Sequence, residues 1–350
     1  MIPQPRGTVA TLGLAFSMSA SLVAQSDHTG RVSRRVVEAR LIETALPASG
    51  PLLDRAFSVR ALAGNLVVAD FGSSSIKAFR PTGTLRWQVG REGSGPGEFR
   101  GPSSLALLRS GHVVVADPRL GRVTSLTSDG RVDAAHSMGR QIHRVFPFRG
   151  DTVLATAIGD SLFVKYVGSN RVGFLPLPNT LQFLNSTHVV RDYLFAQSSS
   201  GDVALVFIYP GLVGLFRSDR VNLELASGPA TAAWPVEDAA EVRMPDGRKA
   251  VRRGLDPRIR PNLVGVAVEG SFVYALTYAS EGAAQFIDVF RRQPLRYVCS
   301  VPVTGRVQDF AVLDGALYLL RLDPEPLISR LAPTVAADLT RALDAQCPER

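Results

Sequence analysis

Apolar residues along this chain fall in short runs separated by turn residues. Between Gly90 and Gly130 a glycine-rich connection (Gly93, Gly95, Gly97, then Phe99 and Pro102) leads into Leu105 to Leu108. A turn at Ser110-Gly111 follows, then Val113 to Ala116 closed by Asp117, then Val123 to Leu126 ending at Asp129-Gly130. Runs of this length, β-branched and bounded by Gly, Asp and Ser, predict three strands joined by turns. The same unit precedes it: Phe57 to Leu62, a turn at Ala63-Gly64-Asn65, Leu66 to Ala69 closed by Asp70, Ile76 to Phe79, and Leu85 to Val89. Superposing Asp70 on Asp117 brings Gly64 onto Gly111 and Gly83 onto Gly130, a shift of 47 residues.

The turn glycine before the second strand recurs at Gly150, Gly201, Gly270 and Gly315, with steps from Gly64 of 47, 39, 51, 69 and 45 residues. A period of about 40 to 50 residues with four strands per repeat is the signature of a β-propeller. The expectation is therefore an all-β, six-bladed β-propeller over residues 25–333, one blade per glycine turn. The long step carries an insertion at 228–261, rich in proline and holding Arg248, Lys249, Arg252, Arg253, Arg258 and Arg260, with a hairpin expected about Pro245-Asp246-Gly247. The last repeat lacks a fourth strand, because Thr334 to Ala345 has helical spacing and forms a C-terminal helical tail over 334–350. An isolated β-prone segment at Val32 to Thr44 is available to fill the gap, and pairing Val36 to Ile42 onto the sixth blade would close the ring.

Ahead of that strand, Arg6 and an uncharged apolar run from Thr8 to Val23, with Ala24 before Gln25-Ser26-Asp27, read as a signal peptide over 1–24. Periplasmic or secreted localisation follows, with a chain not embedded in the membrane. The two cysteines, Cys299 and Cys347, are then expected to form a disulfide. The net charge of +8 comes from 36 arginines and only 3 lysines against 31 acidic residues. No basic helix or aromatic-rich RNA signature accompanies it, so nucleic acid is not expected as a partner. A basic surface still attracts anionic ligands over long range.

The residues Gly93 to Phe99, Pro102, Val114-Val115-Ala116-Asp117 and Arg122-Val123 resemble an NHL repeat, the unit of NHL-type six-bladed propellers. The resemblance implies the fold. The aspartate that closes the second strand in such repeats stands here at Asp70 and Asp117, whereas the equivalent positions in the other four repeats are Thr156, Phe207, Leu276 and Arg321.

A propeller's ligands usually meet the channel mouth, lined by residues entering each first strand and by the loop after each second strand. The candidates for ligand binding there are Asp70, Arg100, Asp117, Arg119, His143, Arg144 and Arg321, with Phe71, His188, Tyr278, Arg306 and Asp309 beside them. For Asp70 and Asp117 the competing role is to accept backbone N–H bonds within the turn. His28, His112, His136, His143 and His188 show no pair at ligand spacing, no EF-hand loop occurs, and no G-x-S-x-G elbow is present. No cofactor, metal or catalytic residue is assigned. The expected function is an exported, monomeric binding module for a protein partner or an anionic or carbohydrate-like ligand at one face of the disc. The alternative is a metal-dependent lactonase, hydrolase or lyase in the central channel, assembled from Asp70, Asp117, Asn185 and Asp309 as gluconolactonase-like enzymes do from separate blades.

Overall fold

The computed structural model describes residues 32–37, 41–46, 52–139, 141–148, 152–157, 160–166, 172–175, 193–218, 223–232, 237–243, 249–255, 260–280, 283–322, 325–333 and 339–346. The expected signal peptide, Asn185, His188 and Cys347 lie outside them.

Five sheets are each made of four consecutive antiparallel strands. After β1 (Leu41–Ala45), the first blade is built from β2 (Ala56–Leu62), β3 (Asn65–Asp70), β4 (Ser75–Phe79) and β5 (Leu85–Val89). The second holds β6 (Ser104–Leu107), β7 (Val113–Asp117), β8 (Arg122–Leu126) and β9 (Val132–Ser137). The third holds β10 (Ile142–Phe148), β11 (Thr152–Ala157), β12 (Asp160–Tyr166) and β13 (Val172–Leu175). The fourth holds β14 (Tyr193–Gln197), β15 (Val203–Phe207), β16 (Leu212–Phe216) and β17 (Leu223–Ala226). After a hairpin of β18 (Glu237–Arg243) and β19 (Lys249–Leu255), the fifth holds β20 (Leu263–Glu269), β21 (Phe272–Thr277), β22 (Gln285–Arg292) and β23 (Leu295–Val303).

The remaining strands β24 (Asp309–Leu313), β25 (Ala316–Arg321) and β26 (Leu327–Pro333) form a composite sheet with β1 (Leu41–Ala45), in the order β1-β26-β25-β24. First strands pack in series, β2 on β6, β6 on β10, β10 on β14, β14 on β20, β20 on β24, and β24 back on β2.

Burial follows position within the blade. In β3, β7, β15, β21 and β25 every residue is buried, because a second strand is covered on both faces by neighbouring blades. Such strands read as continuous apolar runs rather than as alternation. The fourth strands β5 and β9 lie at the rim and are only partly buried. The turn glycines explain the repeat phase: Gly64, Gly111, Gly201, Gly270 and Gly315 all have positive φ, between 54° and 90°. A left-handed conformation of that kind strains any residue with a Cβ, so glycine marks the turn from first to second strand.

The expected N-terminal strand differs from the observed one. The apolar residues of Val32 to Thr44 serve two sheets rather than one. Val36 forms a parallel bridge with Ser300 on β23, where the Val37 N–H donates to the Ser300 carbonyl at 2.9 Å and the Ser300 N–H to the Arg35 carbonyl at 2.7 Å. Pairing with β26 begins only at Leu41 and runs to Ala45, with Glu43 opposite Leu331. The helix α1 covers Leu339–Gln346, within the expected helical tail, and its Leu339 and Leu343 are buried beside Val37, Phe272 and Cys299. Both ends of the described chain thus pack into one apolar cluster between the fifth blade and the composite sheet. The expected hairpin in the insertion is β18 paired with β19, Arg243 opposite Lys249.

Candidate functional site

The two aspartates singled out by the repeat hold the chain where it enters each first strand. Asp70 is fully buried and accepts the N–H of Asp54 at 3.1 Å and of Arg55 at 2.9 Å. Its other partners are the Ser73 hydroxyl at 2.7 Å and the Lys77 ammonium at 2.6 Å. Burial pushes the Asp70 carboxyl up, but the hydrogen bonds from Lys77 and Ser73 and the Lys77 charge outweigh it, leaving the group below the usual carboxylate range. Asp117, also fully buried, accepts the N–H of Arg100 at 2.7 Å, of Gly101 at 3.2 Å and of Leu120 at 3.2 Å. Neither carboxylate faces solvent. Both are occupied by the backbone N–H groups of the segments that enter the first strands.

The chain they position is basic. Arg55 and Arg100, whose N–H groups are gripped by Asp70 and Asp117, are exposed, as is Arg119 in the loop after β7. Arg55 and Arg119 both lie over the half-buried Phe71 ring, their guanidinium carbons 5.9 Å and 4.6 Å from its centroid. Those distances cap their separation at about 10.5 Å. Phe57 meets Phe71 edge-on at 5.3 Å, fixing the ring, and an Arg119 Nη1–H donates to the Arg100 carbonyl at 3.2 Å. The backbone approaches closely as well: a Cβ at Gly101 would lie 2.8 Å from Phe71 and 3.1 Å from Arg119. Among the described residues none of Arg55, Arg100 and Arg119 has a carboxylate within salt-bridge distance. Two positive charges about 10 Å apart in water repel by about 0.4 kcal/mol. Two guanidiniums over one aromatic ring, with Arg100 joined to them through its backbone carbonyl, can receive an anion, since guanidinium pairs with carboxylate, sulfate or phosphate in two-point hydrogen bonds.

The other candidates fall elsewhere. The Arg321 guanidinium is buried and occupied, its Nε–H and Nη2–H donating to Glu43 at 3.0 Å and 2.8 Å. It pins β1 to β25. Asp309 is likewise spent, accepting the Val59 N–H at 3.0 Å and an Arg60 Nη1–H at 2.6 Å across the joint between the first blade and the composite sheet. Arg144 is exposed on β10, and His143 sits beside it where the β10–β11 register shifts. Arg306 is exposed and Tyr278 partly so. Arg55 escaped the sequence reading, although it precedes β2 much as Arg100 precedes β6. Aligning the two repeats at their aspartates places Pro102, not Arg100, at its position, so the repeat gives no signal for it.

Cys299 is buried and disulfide-bonded, and the chain's only other cysteine is Cys347. Among the described residues no helix is long and apolar enough to cross a membrane.

No protein-family model matches the chain, and no curated protein matches it. Solved structures do. A streptogramin B lyase superposes with a TM-score of 0.52 at 10% identity, over 84% of this chain and 98% of the lyase. A putative exported protein from Bacteroides fragilis superposes with a TM-score of 0.51 at 10% identity, over 85% and 95%. The WD40 repeats of RRP9 superpose with a TM-score of 0.51 at 12% identity, over 86% and 99%. Identities this low carry architecture and no activity. The chain is an all-β propeller with a single short helix among its described residues.

Proposed function

We propose that this protein is an exported, six-bladed propeller that binds a multiply anionic ligand at the crevice between its first and second blades. In this reading the composite sheet is the sixth blade, and β1 closes the ring. The observation that carries the ligand class is the pair Arg55 and Arg119 over Phe71, with exposed Arg100 bound to Arg119 through its carbonyl. Export is supported by the disulfide at Cys299, a bond that persists in oxidising compartments. The propeller scaffold supplies rigidity, and the loops after the second strands carry the chemistry.

The mechanism is one of positioning. Asp70 and Asp117 hold the backbone of the arginine-bearing segments with hydrogen bonds to N–H groups, so little loop freedom remains to be lost on binding. Phe71 keeps the two guanidiniums above its ring by cation–π attraction. An incoming anion then meets donors already in place.

The test is isothermal titration of the mature protein with a heparin-derived octasaccharide at low and at physiological salt. Arg119→Ala and Arg55→Ala are each expected to weaken binding roughly 10-fold or more, since hydrogen bonds to charged groups contribute about 1.5–3 kcal/mol. Affinity should also fall as salt rises. Binding that is unchanged in both variants would overturn the assignment.

A further inference from the structure

On the opposite face, at the turns that join first to second and third to fourth strands, a cleft of about 690 Å³ opens between the fourth and fifth blades. Its wall alternates charge. Arg217 makes a two-point contact with Glu224, Nε to Oε1 at 2.6 Å and Nη2 to Oε2 at 3.0 Å. Arg292, at the end of β22, reaches across the joint to Asp202 and donates to the Ser200 hydroxyl at 2.9 Å. Arg292 also donates to the Gly270 carbonyl, and its own carbonyl accepts from Arg217. Asp202 is held in turn by the Ser218 N–H at 2.8 Å. The Arg292 Nε–H is buried and has no acceptor among the described residues. A second hollow of about 330 Å³ shares Arg217, Arg292 and Gln293 with the first.

These features select a ligand by exclusion and by fit. Two guanidiniums balance two carboxylates, so neither a strong anion nor a strong cation gains on entering. Among the described residues no large apolar side chain lines the cleft, so they offer a lipid or an aromatic ring no surface to bury. A hydroxyl group suits the wall, because it donates to a carboxylate and accepts from a guanidinium at the same time. The volume falls in the range of small-ligand sites, about 300–1,000 Å³. The ion pairs hold the Arg217, Glu224, Arg292 and Asp202 side chains in place before binding, as recognition of a neutral polar molecule requires.

We propose that this cleft is a binding site for a neutral saccharide. It is independent of the arginine patch on the other face and does not rest on the anionic-ligand reading.

The test applies the intact mature protein, fluorescently labelled, to an array of immobilised saccharides that includes neutral, carboxylated and sulfated members. Binding to neutral saccharides is expected, reduced at least 10-fold by Gln293→Trp, whose exposed side chain would fill the cleft, and unaffected by Arg119→Ala. Ser200→Trp, at the other rim, serves as a second blocking variant should the first fail to fold. No binding to any neutral saccharide would overturn the proposal. So would neutral-saccharide binding that survives both tryptophan variants. Binding confined to sulfated members and lost in Arg119→Ala would overturn it while leaving the anionic site in place.

Discussion

Replacing Glu43 by alanine removes the acceptor that ties β1 to the rest of the composite sheet. In the native protein the Glu43 carboxylate accepts two hydrogen bonds from Arg321, one from Thr304 at 3.0 Å and one from Ser329. The Arg321 side chain is only 9% exposed, so Glu43→Ala leaves a nearly buried charge without a partner. Such losses cost about 3–5 kcal/mol, and the 25% exposure of the Glu43 side chain places this one at the lower end, about 3 kcal/mol. At about 1.4 °C per kcal/mol for a chain of 350 residues, the melting temperature should fall by about 4 °C. Differential scanning calorimetry measures it. The double variant Glu43→Ala, Arg321→Met should melt above Glu43→Ala alone, because the stranded charge has gone. A melting temperature for Glu43→Ala within about 1 °C of the parent would refute the closure of the ring through β1.

Other consequences follow from the same geometry. Asp70→Asn strands the Lys77 ammonium, 6% exposed, and should cost about 3 kcal/mol or more of stability by chemical denaturation. Asp288 is fully buried in β22, and burial pushes its carboxyl up against the opposing hydrogen bond from Ser300 and the charge of Arg34. Its ionised form therefore costs stability at neutral pH, a cost that disappears as pH falls. Asp288→Asn should melt at or above the parent at pH 7, with the difference shrinking toward pH 4. Glu43, Asp70 and Asp202 behave oppositely: burial raises each carboxyl, but hydrogen bonds and cationic neighbours outweigh it and leave it lowered. Their contribution is present above the unfolded carboxyl value, about 4, and is lost as pH falls through the lower folded values, so acid should unfold the protein progressively below about pH 4. Reduction of the disulfide should lower stability by about 4 kcal/mol in the chain-entropy account, and unreduced peptide mapping should join Cys299 to Cys347.

The parts of the fold that were legible in the sequence are those where one residue type has one physical use. Gly64, Gly111, Gly201, Gly270 and Gly315 need positive φ at a turn, and the runs they precede are second strands buried on both faces. The start of β1 was not legible in the same way. Val36 and Val37 belong to the edge of β23, whereas Leu41 to Ala45 belongs to β26, and a run of apolar residues does not say which sheet each one serves. What holds β1 on its sheet besides its backbone ladder is a charged contact 278 residues away in sequence, between Glu43 and Arg321. The site divides likewise. Asp70 and Asp117 stood out by repetition, yet burial turns them toward backbone N–H groups. Arg119 stood out by its loop, but its partnership with Arg55 across Phe71 depends on how two blades pack.

The central claim is that an anion docks on Arg55, Arg100 and Arg119. Backbone hydrogen exchange followed by mass spectrometry, with and without saturating heparin-derived octasaccharide, tests it most directly. Protection is expected over 53–57, 71–74, 98–101 and 118–121, with no change over 198–202 and 291–295. Protection elsewhere, or none at a concentration where titration shows binding, would contradict it.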